Sequence, residues 1–249
     1  MKLIFGTTNK RKVEDLQNII NEMNLNIEVV SMEDIGWDRG EIDESGSTIE
    51  ENSLIKAQLI LSFCRDHNID YPIMTDDAGL FVDALNGKPG IYTTRYADDE
   101  LALDSSLPKY QCVVKLLREM NGEQNRNAKY RCCVTSMMPN GDYHQEIGES
   151  EGKIANEIIG ELKKPYFYSV FILDGTTVAF NELKVEELDN TYRYNAIRKS
   201  LKRFLWKKTK SIFLSFIYVF ENTRILSTFL KDHLWDLSVL QIIFIINVL

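Results

Sequence analysis

Three apolar residues, Leu3-Ile4-Phe5, stop at Gly6 and give way to Thr7-Thr8-Asn9-Lys10-Arg11-Lys12, after which Val13, Leu16, Ile19, Ile20 and Met23 recur at helical spacing. A strand, a polar turn and a helix N-terminus in this order constrain the chain to begin as an α/β fold. Asn26 to Met32, with Ile27, Val29 and Val30, read as the next short strand and complete a β-α-β unit. The turn is suited to an anion. Thr7 and Thr8 are placed to cap the helix, Asn9 adds an amide, Gly6 lets the backbone come close, and the positive helix end attracts negative charge. Lys12 lies about one turn into the helix, where its ammonium can fold back toward the same anion. The same residues also describe an ordinary capped surface helix with solvated lysines, and taken alone they leave both readings open.

Further strands and helices follow in alternation. Residues 50–67 carry the helical stripe Leu54, Ala57, Leu61 and Cys64, and the apolar strand Ile73 to Thr75 ends at two acids, Asp76 and Asp77. Tyr110 to Met120 read as a helix. Lys129 to Met138 and Tyr143 to Gly148 read as paired strands across the turn Pro139-Asn140-Gly141-Asp142. Phe167 to Leu173 add a strand and residues 194–206 a last amphipathic helix. The expected class is α/β, with a mixed twisted central sheet, flanking helices and no internal repeat.

Composition narrows the partners. A chain of 249 residues, 44% hydrophobic and 27% charged, is long enough for one substantial domain or two small ones. Its net charge of −8 disfavours the backbone of nucleic acid as a main partner and suits a small, metal-complexed anion met by local basic spots. Cys64, Cys112, Cys132 and Cys133 have no CxxC spacing, so buried free thiols are expected rather than a disulfide framework or a zinc site. Charged residues follow Leu3-Ile4-Phe5-Gly6 almost at once, unlike a signal peptide, and the expected location is the cytoplasm.

Acidic chemistry gathers in two places. Gly40-Glu41-Ile42-Asp43-Glu44-Ser45-Gly46 is a loop rich in carboxylates; Asp76-Asp77-Ala78-Gly79 follows a buried strand, where open α/β sheets place their ligands. Loop acids are commonly just solvated, but adjacent acids beside an apolar strand are costly without a cation. Such oxygen donors suit Mg²⁺, which binds through one or two carboxylates, waters and substrate phosphates. Between the clusters, Thr48 and Glu51 form a capping box that starts a helix and sets Asn52 and Lys56 one turn apart on one face. Lys56 on a solvated ladder is the ordinary alternative.

Five segments occur together in order: Thr7-x-Asn9-x-x-Lys12; Glu50-Glu51-Asn52-Ser53-Leu54-Ile55-Lys56-Ala57; Thr75-Asp76-Asp77-Ala78-Gly79-Leu80; Val82-Asp83-Ala84-Leu85-Asn86-Gly87-Lys88-Pro89-Gly90-Ile91-Tyr92; and Arg95-Tyr96-Ala97. In order and spacing the chain resembles the inosine triphosphate pyrophosphatase family over residues 1 to about 206. The resemblance implies metal-dependent cleavage of non-canonical purine triphosphates (ITP, dITP, XTP) between the α- and β-phosphates. It also implies a two-lobed mixed α/β fold around a nucleotide cleft, and a homodimer. On that basis Thr7, Thr8, Asn9, Lys10, Arg11 and Lys12 cradle the triphosphate with Lys56 opposite. Glu44 and Asp77 hold Mg²⁺, with Asp43 or Asp76 assisting. Asp77 is also the general base, and Ala78 lies beside the substrate.

The second half departs from the family pattern. Where the family has Gly-Phe-Gly-Tyr-Asp-Pro before a Phe, this chain has Pro165-Tyr166-Phe167-Tyr168-Ser169-Val170-Phe171, so Phe167 keeps an aromatic face and Tyr168 replaces the acid. The family's Ser-His-Arg is Thr191-Tyr192-Arg193 here, and its nearby lysine is Leu188. Two accounts follow: an active branch whose base pocket uses Phe167, Tyr168, Tyr192 and Arg193, or a nucleotide-binding protein with little turnover. A Maf-type pyrophosphatase fits the Asp-Asp-Ala-Gly block less well, and no GxxxxGK[ST] is present for a P-loop enzyme. Residues 207–249 hold the apolar runs Ser211 to Phe220 and Leu237 to Leu249, each short of the roughly 20 residues of a membrane helix. They read as packed helices, a membrane-surface attachment or an appendage to the domain.

Overall fold

The computed structural model describes residues 1–108, 110–188 and 190–204. The chain divides into two compact units, Met1–Leu201 and Lys202–Leu249, and the fold below is that of the first. The apolar runs of residues 207–249 lie outside the described residues.

The β-α-β start is β1 (Lys2–Phe5), α1 (Lys10–Glu22) and β2 (Glu28–Val30), with β1 and β2 parallel and Leu3 opposite Val29. The helix α2 (Ile49–Asp66) leads to β3 (Ile73–Val82), which lies parallel to β1 through Ile4–Ile73 and Phe5–Met74. Every later pairing is antiparallel. β3 pairs with the short β4 (Pro89–Gly90) and with β5 (Asn127–Met137), β5 with β6 (Tyr143–Ile154), and β6 with β7 (Phe171–Leu173). The order across the sheet is β2-β1-β3-β5-β6-β7, with β4 off this path on β3. The helices α3 (Asp98–Leu103) and α4 (Gln111–Glu119) follow β4; α5 (Val185–Leu188) and a further helix, α6, described over residues 192–204, follow β7. The expected mixed sheet with flanking helices is the observed one.

Strand alternation sorts the core into two faces. Leu3 and Phe5 of β1 and Met74 of β3 pack with Leu16, Ile19 and Ile20 of α1. Ile4 and Ile73 point the other way, to Ala57, Ile60, Leu61 and Cys64 of α2. Gly6 sits where α2 comes closest: a Cβ there would run into the Ile60 and Thr75 side chains. Its small size is therefore demanded by packing, and it also lines the cavity described below.

Three sequence expectations are corrected. Asn9, not Thr7 or Thr8, caps α1, its side-chain oxygen accepting from Arg11 N at 3.1 Å, while Thr7 Oγ1 accepts from Asn9 N at 3.2 Å. Residues 166–169 form a 3₁₀ turn, so only Phe171–Leu173 of the expected strand is extended. And β3 does not end at Thr75. Asp and Gly disfavour strands locally, but ten consecutive pairs with β5, from Ile73–Met137 to Val82–Ala128, carry the strand through Asp76, Asp77 and Gly79. All four cysteines are buried free thiols, and burial pushes Cys132 and Cys133 up to about 12.

Candidate active site

β1 ends at Phe5, the last residue paired with β3, so beyond Met74 the strand β3 keeps its antiparallel partner and loses its parallel one. Asp76 and Asp77 stand just past that point. Because successive strand residues face opposite sides of a sheet, Asp76 shares the α1 face with Met74, and Asp77 shares the α2 face with Ile73 and Thr75. Each acid meets its own set of cations.

On the α1 face, Asp76 is buried, with Lys12 Nζ 3.1 Å from both of its carboxylate oxygens, and the Arg193 guanidinium also donates to Oδ2. Burial alone would raise this carboxyl, yet Arg193 and Lys12 hold it well below the usual carboxylate range. Lys12 is lowered by burial and by its cationic neighbour Arg193. Arg193 reaches Asp76 from the start of α6. That backbone is held down where Tyr192 N donates to Ser150 Oγ at 2.8 Å, and where a Cβ on Gly148 of β6 would collide with the Tyr192 carbonyl.

On the α2 face, Asp77 is 8% exposed, and its oxygens accept from Asn52 Nδ2 at 3.3 Å and Lys56 Nζ at 3.1 Å. Lys56 Nζ also donates to the Asp76 carbonyl at 3.0 Å and lies 2.6 Å from Glu44 Oε1. The helix start explains the placement. Thr48 Oγ1 caps α2 by accepting from Glu51 N at 3.1 Å, which turns Asn52, Ser53 and Lys56 inward. Asn52 Oδ1 accepts from Gly46 N at 2.8 Å and so ties the acidic loop carrying Glu44 to the same helix. Behind them Ser53 Oγ meets Thr135 Oγ1 at 2.8 Å and Thr75 Oγ1 donates to the Ser53 carbonyl at 2.7 Å, pinning α2 to the sheet. Burial, and secondarily Glu44, raise the Asp77 carboxyl, with Lys56 opposing. Burial works against the charge on Lys56, but Asp77, Asp76 and Glu44 hold its ammonium above the ordinary value.

The two faces therefore carry opposite surplus charge. Two cations, Lys12 and Arg193, share one carboxylate, Asp76, whereas two carboxylates, Glu44 and Asp77, share one ammonium, Lys56. A cavity of about 540 Å³ reaches members of both groups, lined by Thr7, Thr8, Lys12 and Asp76 as well as by Asp43, Glu44 and Lys56; Asp77 and Arg193 are not among its lining residues. One part calls for an anion and the other for a cation. Two carboxylates, Glu44 and Asp77, converge on one ammonium, a hard oxygen donor set of the kind a divalent cation takes together with water and phosphate. No cluster of three or more His, Cys, Asp or Glu is placed to cage a metal among the described residues.

Some expected site residues are placed elsewhere. Asp76 lines the cavity with both oxygens on cations, on the opposite face of β3 from Asp77. Lys10 is exposed and 3.6 Å from Glu33, Arg11 is exposed, and neither lines the cavity; Asn9 serves as the cap. Ala78 is half-buried on β3 against the α1-side core. Phe167 and Tyr192 are core residues, Tyr192 stacking on Tyr130 at 5.0 Å and sharing a 2.5 Å hydroxyl hydrogen bond with Tyr168. Neither they nor Tyr168 line the cavity. Sequence reasoning missed Trp37, Thr94 and Arg95, which do. Arg95 had a signal in its motif; Trp37, an isolated aromatic in a loop, had none.

The profile of the Ham1 family matches residues 3–203 of this chain. A dITP/XTP pyrophosphatase of Thermoanaerobacter pseudethanolicus is 32% identical over 210 residues, spanning 84% of this chain and 98% of that protein. A dITP/XTP pyrophosphatase of Listeria innocua is 33% identical over 216 residues, with the same coverage. Among solved structures, the Ham1 protein of Staphylococcus aureus superposes with a TM-score of 0.67 at 26% identity, over 84% of this chain and all of its own. A HAM1 protein from Coxiella burnetii has a TM-score of 0.69 at 23% identity, over 83% of this chain and 99% of its own, and shares the fold.

Proposed function

The chain belongs to the Ham1 family, and from that premise we propose that it hydrolyses non-canonical purine nucleoside triphosphates such as ITP, dITP and XTP to the monophosphate and pyrophosphate, with Mg²⁺ as the metal. The observation that carries this reading is the pair of oppositely charged faces in one cavity. Phosphoryl chemistry needs positioning, charge neutralisation and an oriented water more than covalent steps. A surplus of cation beside a surplus of carboxylate supplies both halves of a metal–triphosphate. The relatives named dITP/XTP pyrophosphatase supply the substrate class.

In this mechanism Thr7, Thr8 and Lys12 bind phosphate oxygens at the α1 face, and Asp76 with Arg193 keeps Lys12 aimed there. Glu44 and Asp77 would hold Mg²⁺, which when bound neutralises phosphate charge. Lys56 holds these two carboxylates together and stands ready to contact phosphate. Asp77 Oδ accepts the proton of the attacking water. Asn52 fixes the orientation of this carboxylate. The test is pyrophosphate release with Mg²⁺ from ITP, dITP and XTP beside ATP and GTP. Faster release from the first three is expected; equal rates on all five remove the base preference, and no release from any removes the enzyme.

A further inference from the structure

Three cations line the cavity: Lys12, Lys56 and Arg95. Lys12 is committed to Asp76, and Lys56 to Glu44 and Asp77. Arg95 makes no ion pair among the described residues; its guanidinium lies 5.8 Å from the centre of the Tyr92 ring and is otherwise exposed. It is nonetheless held on a fixed base. Thr93, two residues before it in the same 3₁₀ turn, accepts from Leu80 N of β3 at 2.9 Å and donates to the Gly90 carbonyl of β4 at 2.5 Å. A side chain that serves solubility alone needs no such anchoring, and two other exposed arginines outside the cavity, Arg39 and Arg118, are taken up by the carboxylates of Asp66 and Glu100.

Resting on the triphosphate reading above, we infer that Arg95 is a further substrate-contact residue that binds the β- and γ-phosphates, the part of the substrate that leaves as pyrophosphate. The α1 face offers a surplus of one cation, less than a triphosphate and its leaving group require. A guanidinium is always charged and presents a planar fork of donors that two phosphate oxygens can meet together. Its orientation over the Tyr92 ring leaves that fork free. Negative charge grows on the leaving pyrophosphate as the α–β bond breaks, so the contact strengthens in the transition state as well as in the bound substrate.

The experiment is a calorimetric titration of the full chain with Mg²⁺-pyrophosphate and, separately, with inosine monophosphate, for the native protein, Arg95→Gln and Arg95→Lys. It requires no turnover, so it reads Arg95 even if the protein proves not to hydrolyse triphosphates. Arg95→Gln is expected to weaken pyrophosphate binding about tenfold or more, the size of a charge-assisted hydrogen bond, while leaving monophosphate binding within about twofold. Arg95→Lys recovers part of the loss. The steady-state counterpart is a raised KM for triphosphate and a raised inhibition constant for pyrophosphate. Unchanged pyrophosphate affinity in Arg95→Gln, or equal weakening of both ligands, overturns the inference.

Discussion

Asp76 and Asp77 are neighbours in sequence, share a strand and are both buried, yet they do opposite work. Asp76 faces α1, and two cations hold its proton affinity far down; Asp77 faces α2, and burial beside Glu44 moves it up. The difference comes from the pleat of β3 alone, which sends one carboxylate to each side of the sheet. A tandem of acids on a strand is therefore two sites rather than one. The anchored member gathers two cations, Lys12 and Arg193, and in the proposed mechanism the raised member takes the proton of the attacking water.

The comparison is broken most severely at Asp77. Asp77→Asn is expected to lower turnover by about 10²- to 10⁴-fold, the range for a general base, with the fold kept, as read from pyrophosphate release and circular dichroism. Full activity would falsify the role. Asp76→Asn leaves Lys12 and Arg193 buried against a neutral amide. The expected cost is about 3 kcal/mol or more of stability, which thermal unfolding reads as a drop of roughly 6 °C or more. A Tm unchanged from the native protein would show that Asp76 is not the anchor. Asn52→Ala removes both its hydrogen bond to Asp77 and its tie to Gly46 N of the Glu44 loop, without touching the α1 face. Its expected effect is about a tenfold loss in kcat/KM, read from initial rates of pyrophosphate release.

The smallest effect is in the pH dependence of stability in metal-free buffer, and its sign differs between the two acids. Asp76, lowered in the folded protein, contributes stability above the ordinary aspartate pKa of about 3.9, and that contribution is lost as pH falls. Asp77, raised in the folded protein, is the reverse: the unfolded chain gives up its proton first, so stability declines as pH rises from about 4 through the raised value. Removing the charge at Asp77 is thus expected to raise the Tm slightly at pH 7 and not at pH 3. A Tm gain that persists undiminished at pH 3 would contradict this assignment.

Much of this was legible in the chain. The stripe Val13, Leu16, Ile19, Ile20 and the strand Leu3-Ile4-Phe5 located the first β-α-β unit, because local period and tertiary burial agree there. The Thr48–Glu51 capping pattern put Asn52 and Lys56 on the inward face of α2. Local signals failed where long-range pairing decides. Nothing near Asp76 announces that β5, some fifty residues away, will carry β3 through two acids and a glycine. Nor does Thr191-Tyr192-Arg193 reveal that Arg193 reaches Asp76 across the fold while Tyr192 turns into the aromatic core. Lys10 and Arg11 are placed by a different cause. With Asn9 as the cap, the helix phase directs Lys12 inward and leaves the two preceding cations in solvent.

The central claim, that adjacent acids serve opposite faces with separate tasks, is tested most directly by titrating ITP calorimetrically, with and without Mg²⁺, into the native protein, Asp76→Asn and Asp77→Asn at a temperature where all are folded. Asp77→Asn is expected to bind metal-free ITP within a few-fold of the native affinity and to lose hydrolysis and the gain in affinity that Mg²⁺ brings, while Asp76→Asn loses about tenfold or more in affinity for metal-free ITP because Lys12 is no longer held in place. Equal losses of affinity for metal-free ITP in the two variants, or a loss there confined to Asp77→Asn, would contradict it.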